Sequence, residues 1–297
     1  MPLLSRAGPK AVALETTLLL HGVPKDQSAP LARELCEIIK SRGVEPALIG
    51  VVGGQPIVGL NDVELQTLLD APKVPKANTA NLGLLLHQGS HAATTVSTTM
   101  ELAAAAGIRL FATGGIGGVH RGYADHLDIS ADLAALTRFP VAVVASGVKS
   151  ILDVTATREL LEALGVPVVG FRTTAFPAFY LRQTDPPIAL DATFDEVEPL
   201  AAFAAAELAR TKRGILICNP IPAASELRRQ DWDHWLAAAT DRARAQSLTG
   251  RDLTPFLLSQ LHQLSAGATL RANLDLVRSN AHLAADLCRV MPPSTGG

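Results

Sequence analysis

Short runs of small and β-branched apolar residues alternate with amphipathic stretches along most of this chain, and that alternation most constrains its fold. Ala11–Leu20, Ala47–Val52, Ile108–Ala112, Val141–Ala145, Val166–Gly170 and Gly214–Cys218 read as strands. Ala29–Arg42, Thr95–Ala106, Ile129–Thr137, Thr155–Leu164 and Phe194–Arg210 read as the helices between them. Strands that are apolar on both faces belong in a mainly parallel sheet covered by helices on each side. Gly53-Gly54 followed by Pro56-Ile57-Val58 suggests a hairpin arm. Pro167 places its strand at a sheet edge, because proline cannot donate to a ladder. From about Asp231 only helices follow: Asp231–Gln246, Thr254–Leu264 and Leu270–Leu287. No Ser- or Gly-rich linker and no repeat interrupts the pattern. The expectation is a single three-layer α/β/α domain over residues 1–297, its C-terminal helices packed back onto it. The ends, about 1–9 and 292–297, are expected to fray.

Composition narrows the function more than the fold. The chain has 297 residues, 48% of them apolar and 18% charged, with a net charge of −2 and no basic block. Binding to polymeric nucleic acid rests on clustered Lys and Arg, so no such partner is expected. No apolar run reaches the length of a membrane span. Cys36, Cys218 and Cys288 are scattered, with no CxxC or Cys/His spacing that suggests zinc or a disulfide framework. The N-terminal residues lack a signal-peptide core, which makes a cytoplasmic, reducing compartment the default. The irregular stretch Thr173–Pro187, with Phe176, Phe179 and Tyr180, reads as a lid, an oligomer contact or a plain loop.

Lys149 is the charge most in need of a reason. It follows Val141–Ala145 through Ser146-Gly147-Val148, at the exit of a buried strand, where ligands of open α/β sheets bind. Burial there favours the neutral, nucleophilic amine; the alternative is a lysine reaching from a strand end to water. Glu15 interrupts the first apolar run, and a buried carboxylate there would hold its proton as a general acid needs. On an edge strand it would simply face solvent. Thr113–Gly122 carries five glycines in ten residues directly after a strand, either a flexible loop or an anion-binding nest. It matches neither GxGxxG nor GxxxxGK[ST], which disfavours a dinucleotide or P-loop site. Thr95 opens a helix as a cap, alone or beside a phosphate at the helix N-terminus. Asp128 and Asp132 stand at i and i+4 around Ser130, as caps or as oxygen donors to sugar hydroxyls or a hard cation such as Mg²⁺ or Mn²⁺.

Taken together and in this order, the blocks resemble the pseudouridine-5′-phosphate glycosidases, also called the indigoidine synthase A-like family. The resemblance runs from Ala13-Leu14-Glu15-Thr16-Thr17 and His21-Gly22-Val23-Pro24 through Ala93-Thr94-Thr95-Val96 to the glycine-rich segment Phe111–Gly122. It continues in Asp128–Leu133, Ser146–Asp153, Gly165–Phe171, Pro177–Phe179, Asn219–Pro222, Thr254–Leu258 and Asn273-Leu274. It implies an α/β/α fold, a Mn²⁺-linked homotrimer, and interconversion of pseudouridine 5′-phosphate and water with ribose 5-phosphate and uracil. By motif, Lys149 would be the nucleophile, through an imine (Schiff base), and Glu15 the proton donor. Lys76, Val96, Ser130, Ala131 and Asp132 would bind substrate, and Asp128 would anchor the metal. Thr113, His120 and Asn273 would line the pocket.

One segment departs from the family pattern. Where many members carry a KVSRRDL-like stretch, this chain has Lys76–Leu82, which keeps the lysine and loses both arginines and the aspartate. Lys73 competes with Lys76 for the lysine position. The change leaves room for a related C-glycoside enzyme acting on another ring joined to ribose 5-phosphate. A non-catalytic sugar-phosphate-binding protein is disfavoured, since binding alone needs neither an acid nor a reactive amine.

Overall fold

The computed structural model describes residues 2–123, 127–246, 248 and 253–292. In chain order the elements are β1 (Leu4–Ser5), β2 (Ala11–Glu15), α1 (Thr17–His21), α2 (Lys25–Lys40), β3 (Glu45–Val52), β4 (Gln55–Val58), α3 (Asp62–Asp70) and β5 (Lys76–Ala77). Then come α4 (Leu82–His87), β6 (Ala92–Thr94), α5 (Val96–Ala105), β7 (Leu110–Ala112), α6 (Ala131–Leu136), β8 (Ala142–Ala145), α7 (Val154–Ala163) and β9 (Val168–Phe171). β10 (Ala192–Phe194), α8 (Val197–Thr211), β11 (Ile215–Cys218), α9 (Arg229–Ala245), α10 (Leu253–Leu264) and α11 (Ala268–Val290) complete the fold.

One sheet runs through the molecule in the order β1-β4-β3-β2-β7-β8-β11-β9-β10, with β6 and β5 attached at β3. Among the described strands only the β3–β4 hairpin and the β3–β6 pair are antiparallel, so the sheet is mainly parallel. Its central strands are buried along their whole length, which is why they carry continuous Ala, Val, Leu and Ile. α5 packs over β2, β3, β4 and β7 with α6 beside it, while α11 packs over β2, β7 and β8 with α2 and α8 at its flanks. This is the α/β sandwich expected, and α9, α10 and α11 do fold back onto it.

Four expectations need correction. The first strand stops at Glu15 instead of running to Leu20. Thr16 leaves the ladder because its hydroxyl donates to the Ile49 carbonyl and accepts the Thr94 N–H, and Thr17–His21 turns into helix. The strand after Pro167 is not an edge: β9 lies between β11 and β10. Pro167 precedes that strand, so its missing N–H costs no ladder bond, and its carbonyl accepts the Leu216 N–H. The edge on that side is β10, whose last residue, Phe194, was expected to begin the helix that starts only at Val197. Residues 1–9 are not loose throughout, since Leu4–Ser5 pairs in parallel with Ile57–Val58 and Arg6 bridges Glu64 at 2.7 Å. The expected fraying at 293–297 lies outside the described residues.

Candidate active site

Glu15, Thr113 and Lys149 come from the carboxyl ends of three adjacent strands. The chain continues from β2 to β3 on one side and returns to β7 on the other, so β2 marks the reversal where such sheets bind ligands. Glu15 ends β2, Thr113 follows β7, and Lys149 lies just beyond β8. All three line a cavity of about 280 Å³, together with Lys76 of β5 and Asn273 of α11. Its volume suits a small ligand.

Glu15 is 7% exposed and accepts a hydrogen bond from the Thr113 hydroxyl. Burial holds its carboxyl above the ordinary carboxylate range. Lys149, the Thr113 bond and Lys76 pull it back down, while Asp132 pushes it up. Lys76 is held below the usual lysine value by burial and by the neighbouring Lys149, against the pull of Glu15. Lys73 is exposed and does not line the cavity, so Lys76 is the lysine at the site.

Gly147 makes the Lys149 turn possible. It adopts φ +74°, and a Cβ there would fall 1.8 Å from the Pro177 carbonyl oxygen. The turn is laced to the glycine-rich loop: the Ile116 N–H donates to the Gly147 carbonyl (3.0 Å) and the Lys149 N–H to the Ile116 carbonyl (3.1 Å). The Thr173–Pro187 stretch closes over this turn. The Phe179 N–H donates to the Ser146 carbonyl at 2.9 Å. Phe176, Phe179 and Tyr180 are buried, and the last two wall the cavity, their rings edge-to-face at 4.6 Å.

A second group of expected residues lies beside the cavity instead of lining it. Asp132 is 5% exposed and its two carboxylate oxygens accept the Gly117 N–H (2.8 Å) and the Ser97 N–H (3.0 Å). The expected threonine cap on α5 does not form: Thr95 makes no side-chain cap bond, and its hydroxyl meets that of Ser97 at 3.0 Å. Asp132 takes that place at the helix N-terminus by accepting the Ser97 N–H. Val96 opens α5 with a buried side chain. Ser130 caps α6 by accepting the Asp132 N–H, and Ala131 is the first residue of that helix. Gly117 is packed so closely here that a Cβ would lie 2.3 Å from the Ser130 Oγ.

Asp128 and His120 lie against each other outside the residues that line the cavity, so His120 does not line it as expected. The Asp128 carboxylate is partly exposed and lies 3.7 Å from His120 Nδ1. Asp128 and Asp132 therefore face different partners, and among the described residues no group of three or more His, Cys, Asp or Glu is placed to hold a metal. Asp128 still fits a hard cation, because Mg²⁺-like ions often take one or two carboxylates, with water and substrate phosphate filling the other positions.

His21, Ser259, His262 and Thr269 also line the cavity, and the sequence assigns none of them a role there. His262 and Asn273 each present a buried side-chain atom, Nδ1 and Oδ1, with no hydrogen-bond partner among the described residues. The only signal was polar residues on the inward stripe of helices otherwise apolar there.

Residues 5–290 match the model of the family described as indigoidine synthase A like protein. The chain is 46% identical to a pseudouridine-5′-phosphate glycosidase from Methylobacterium nodulans, over 95% of this chain and 83% of that one. It is 44% identical to one from Caldanaerobacter subterraneus, over 93% and 90%. Among solved structures it resembles an indigoidine synthase A-like protein from Thermotoga maritima (TM-score 0.88, 33% identity, 96% of this chain and 95% of that one). It also resembles a prealnumycin C-glycosynthase in complex with ribulose 5-phosphate (TM-score 0.87, 33% identity, 95% and 91%). The chain belongs to the indigoidine synthase A-like family.

Proposed function

We propose that this protein is a C-glycosidase that interconverts pseudouridine 5′-phosphate and water with ribose 5-phosphate and uracil. The observation that carries the reading is Glu15, its carboxyl raised by burial, lining one cavity with Lys149. An ordinary glycosidase protonates a leaving oxygen between paired carboxylates. Here the bond joins ribose C1′ to carbon C5 of uracil, so electrons need a better sink. In the cleavage direction the amine of Lys149 adds to C1′ as the C1′–O4′ bond breaks, and Glu15 delivers the proton to O4′. Glu15, now a carboxylate, takes a proton from the new C1′ ammonium; the freed nitrogen lone pair forms a C1′=N iminium as the C1′–C5 bond breaks, and Glu15 returns that proton to C5. Water hydrolyses the imine, releasing ribose 5-phosphate and regenerating Lys149.

The other residues take supporting roles. Lys76 would counter substrate negative charge, Val96 would act through its backbone N–H, and Thr113 steadies the Glu15 carboxyl. Ser130, Ala131 and Asp132 shape the wall behind the glycine-rich loop, with His120 beside Asp128 and Asn273 facing the leaving ring. Mn²⁺, or another hard divalent cation, would be held by Asp128 with phosphate oxygens and water, and would neutralise phosphate charge. We propose a homotrimer in the cytoplasm. The exposed apolar side chains of Tyr123, Leu127 and Ile129 beside the glycine-rich loop support assembly. Three free cysteines suit a reducing compartment. Among the described residues no helix is long and apolar enough to cross a membrane.

A second reading, C-glycoside chemistry on another ring joined to ribose 5-phosphate, is favoured by the altered Lys76–Leu82 segment and by the likeness to a C-glycosynthase. One incubation separates the two. Purified protein with Mn²⁺, ribose 5-phosphate and uracil should yield pseudouridine 5′-phosphate. No product, with ribose 5-phosphate still forming a lysine adduct, would favour the second reading. Neither product nor adduct would remove both.

A further inference from the structure

Asn280 of α11 is 0% exposed, and its amide reaches the ends of three adjacent strands. Its Nδ2 donates to the Thr113 carbonyl (2.8 Å) and lies within reach of the Gly114 carbonyl (3.3 Å) and the Ser146 Oγ (3.2 Å). Its Oδ1 accepts from Asn219 Nδ2 at 3.0 Å. Ser146 in turn donates to the Asn219 carbonyl at 2.8 Å. Thr113, Ser146 and Asn219 are the first residues past β7, β8 and β11, neighbours in the sheet.

We propose that Asn280 is a positioning residue, which holds Thr113 against Glu15 and sets the Lys149 turn relative to both. The plain alternative is that Asn280 only satisfies carbonyls left over where strands end. What it holds argues for more. Thr113 is the residue whose hydroxyl donates to Glu15, and Ser146 begins the turn that ends at Lys149. The Ser146 N–H donates to the Gly114 carbonyl at 2.9 Å, so the two loops are tied together at the point where Asn280 sits. Hydrogen bonds weaken steeply with misalignment, and a shift of about 1 Å in reacting groups can cost about 10²-fold in rate. The inference rests on reading Glu15 and Lys149 as acid and nucleophile.

The test pairs Asn280→Ala with Thr113→Val, alone and together. The Glu15 carboxyl is titrated in the free enzyme by isotope-edited infrared spectroscopy, with Lys149, Lys76 and Asp132 left in place around it. Loss of the Thr113 bond removes a downward pull, so Thr113→Val should raise the Glu15 midpoint. Asn280→Ala should raise it too, and the double variant should go no further than Thr113→Val. kcat should fall about 10- to 100-fold in Asn280→Ala with KM within about threefold. An unchanged Glu15 midpoint, or fully additive shifts, would overturn the proposal. If Asn280→Ala does not fold, Ser146→Ala replaces it: this variant should slow Lys149 adduct formation with ribose 5-phosphate about 5- to 50-fold and leave the Glu15 midpoint alone. An unchanged adduct rate would overturn the proposal. The midpoint is read without substrate, so an inactive wild type would sink the glycosidase reading and leave this test standing.

Discussion

In the proposed mechanism Glu15 is the proton donor and Lys149 the nucleophile. Glu15 ends a strand whose other residues are all apolar, so desolvation outweighs the pull of two lysines and keeps its carboxyl elevated. Cleavage needs the protonated form, so the rate should fall as pH rises through the Glu15 value. Glu15→Gln should lower kcat by about 10²- to 10⁴-fold and remove that limb from the pH profile. The same elevation has a sign for stability. A carboxyl raised in the folded state contributes stability that is full below the ordinary carboxylate value and is lost as pH rises through the folded value. At alkaline pH, Glu15→Gln should therefore melt at a higher temperature than wild type, which calorimetry would read. Both residues were legible in the sequence, because a charge inside or just after a buried apolar run is costly without a partner. Thr113 was legible only as the first residue of a glycine-rich loop; its bond to Glu15 depends on β2 and β7 being neighbours.

At the scale of elements, the glycine-rich loop is held less by its own flexibility than by what reaches it from elsewhere. Asp132 staples it to the start of α5, across sequence separations that no local pattern reveals. The sequence shows Asp128 and Asp132 as a pair on one helical face, whereas the fold sends Asp132 to buried N–H groups and leaves Asp128 partly exposed beside His120. Asp132→Ala should cost about 1–3 kcal/mol in urea unfolding, since buried donors lose their acceptor. Gly117→Ala puts a methyl group against Ser130 and Asp132 and should cost a similar amount, about 1–3 kcal/mol, through overpacking. The cavity's far wall was the least legible part. Tyr180, His262 and Thr269 reach it from a loop and two helices distant in sequence, and only their tertiary packing brings them to Lys149.

Across the whole molecule, strand alternation made the layered fold readable, while strand order was not, because β11 inserts between β8 and β9 only through packing. Assembly and metal use belong to this scale. Light scattering should give a particle three times the mass of the chain. Treatment with a chelator should lower activity at least about tenfold, Mn²⁺ should restore it, and Asp128→Asn should raise the Mn²⁺ needed for half-maximal activity. The central claim, however, is that the Lys149 amine carries C1′ of the sugar. The most direct measurement is reduction with borohydride in the presence of ribose 5-phosphate, followed by peptide mass spectrometry. A reduced pentose-phosphate adduct on Lys149, absent in Lys149→Ala, is the expected result. An adduct confined to Lys76, or none in an enzyme that turns over, would contradict it.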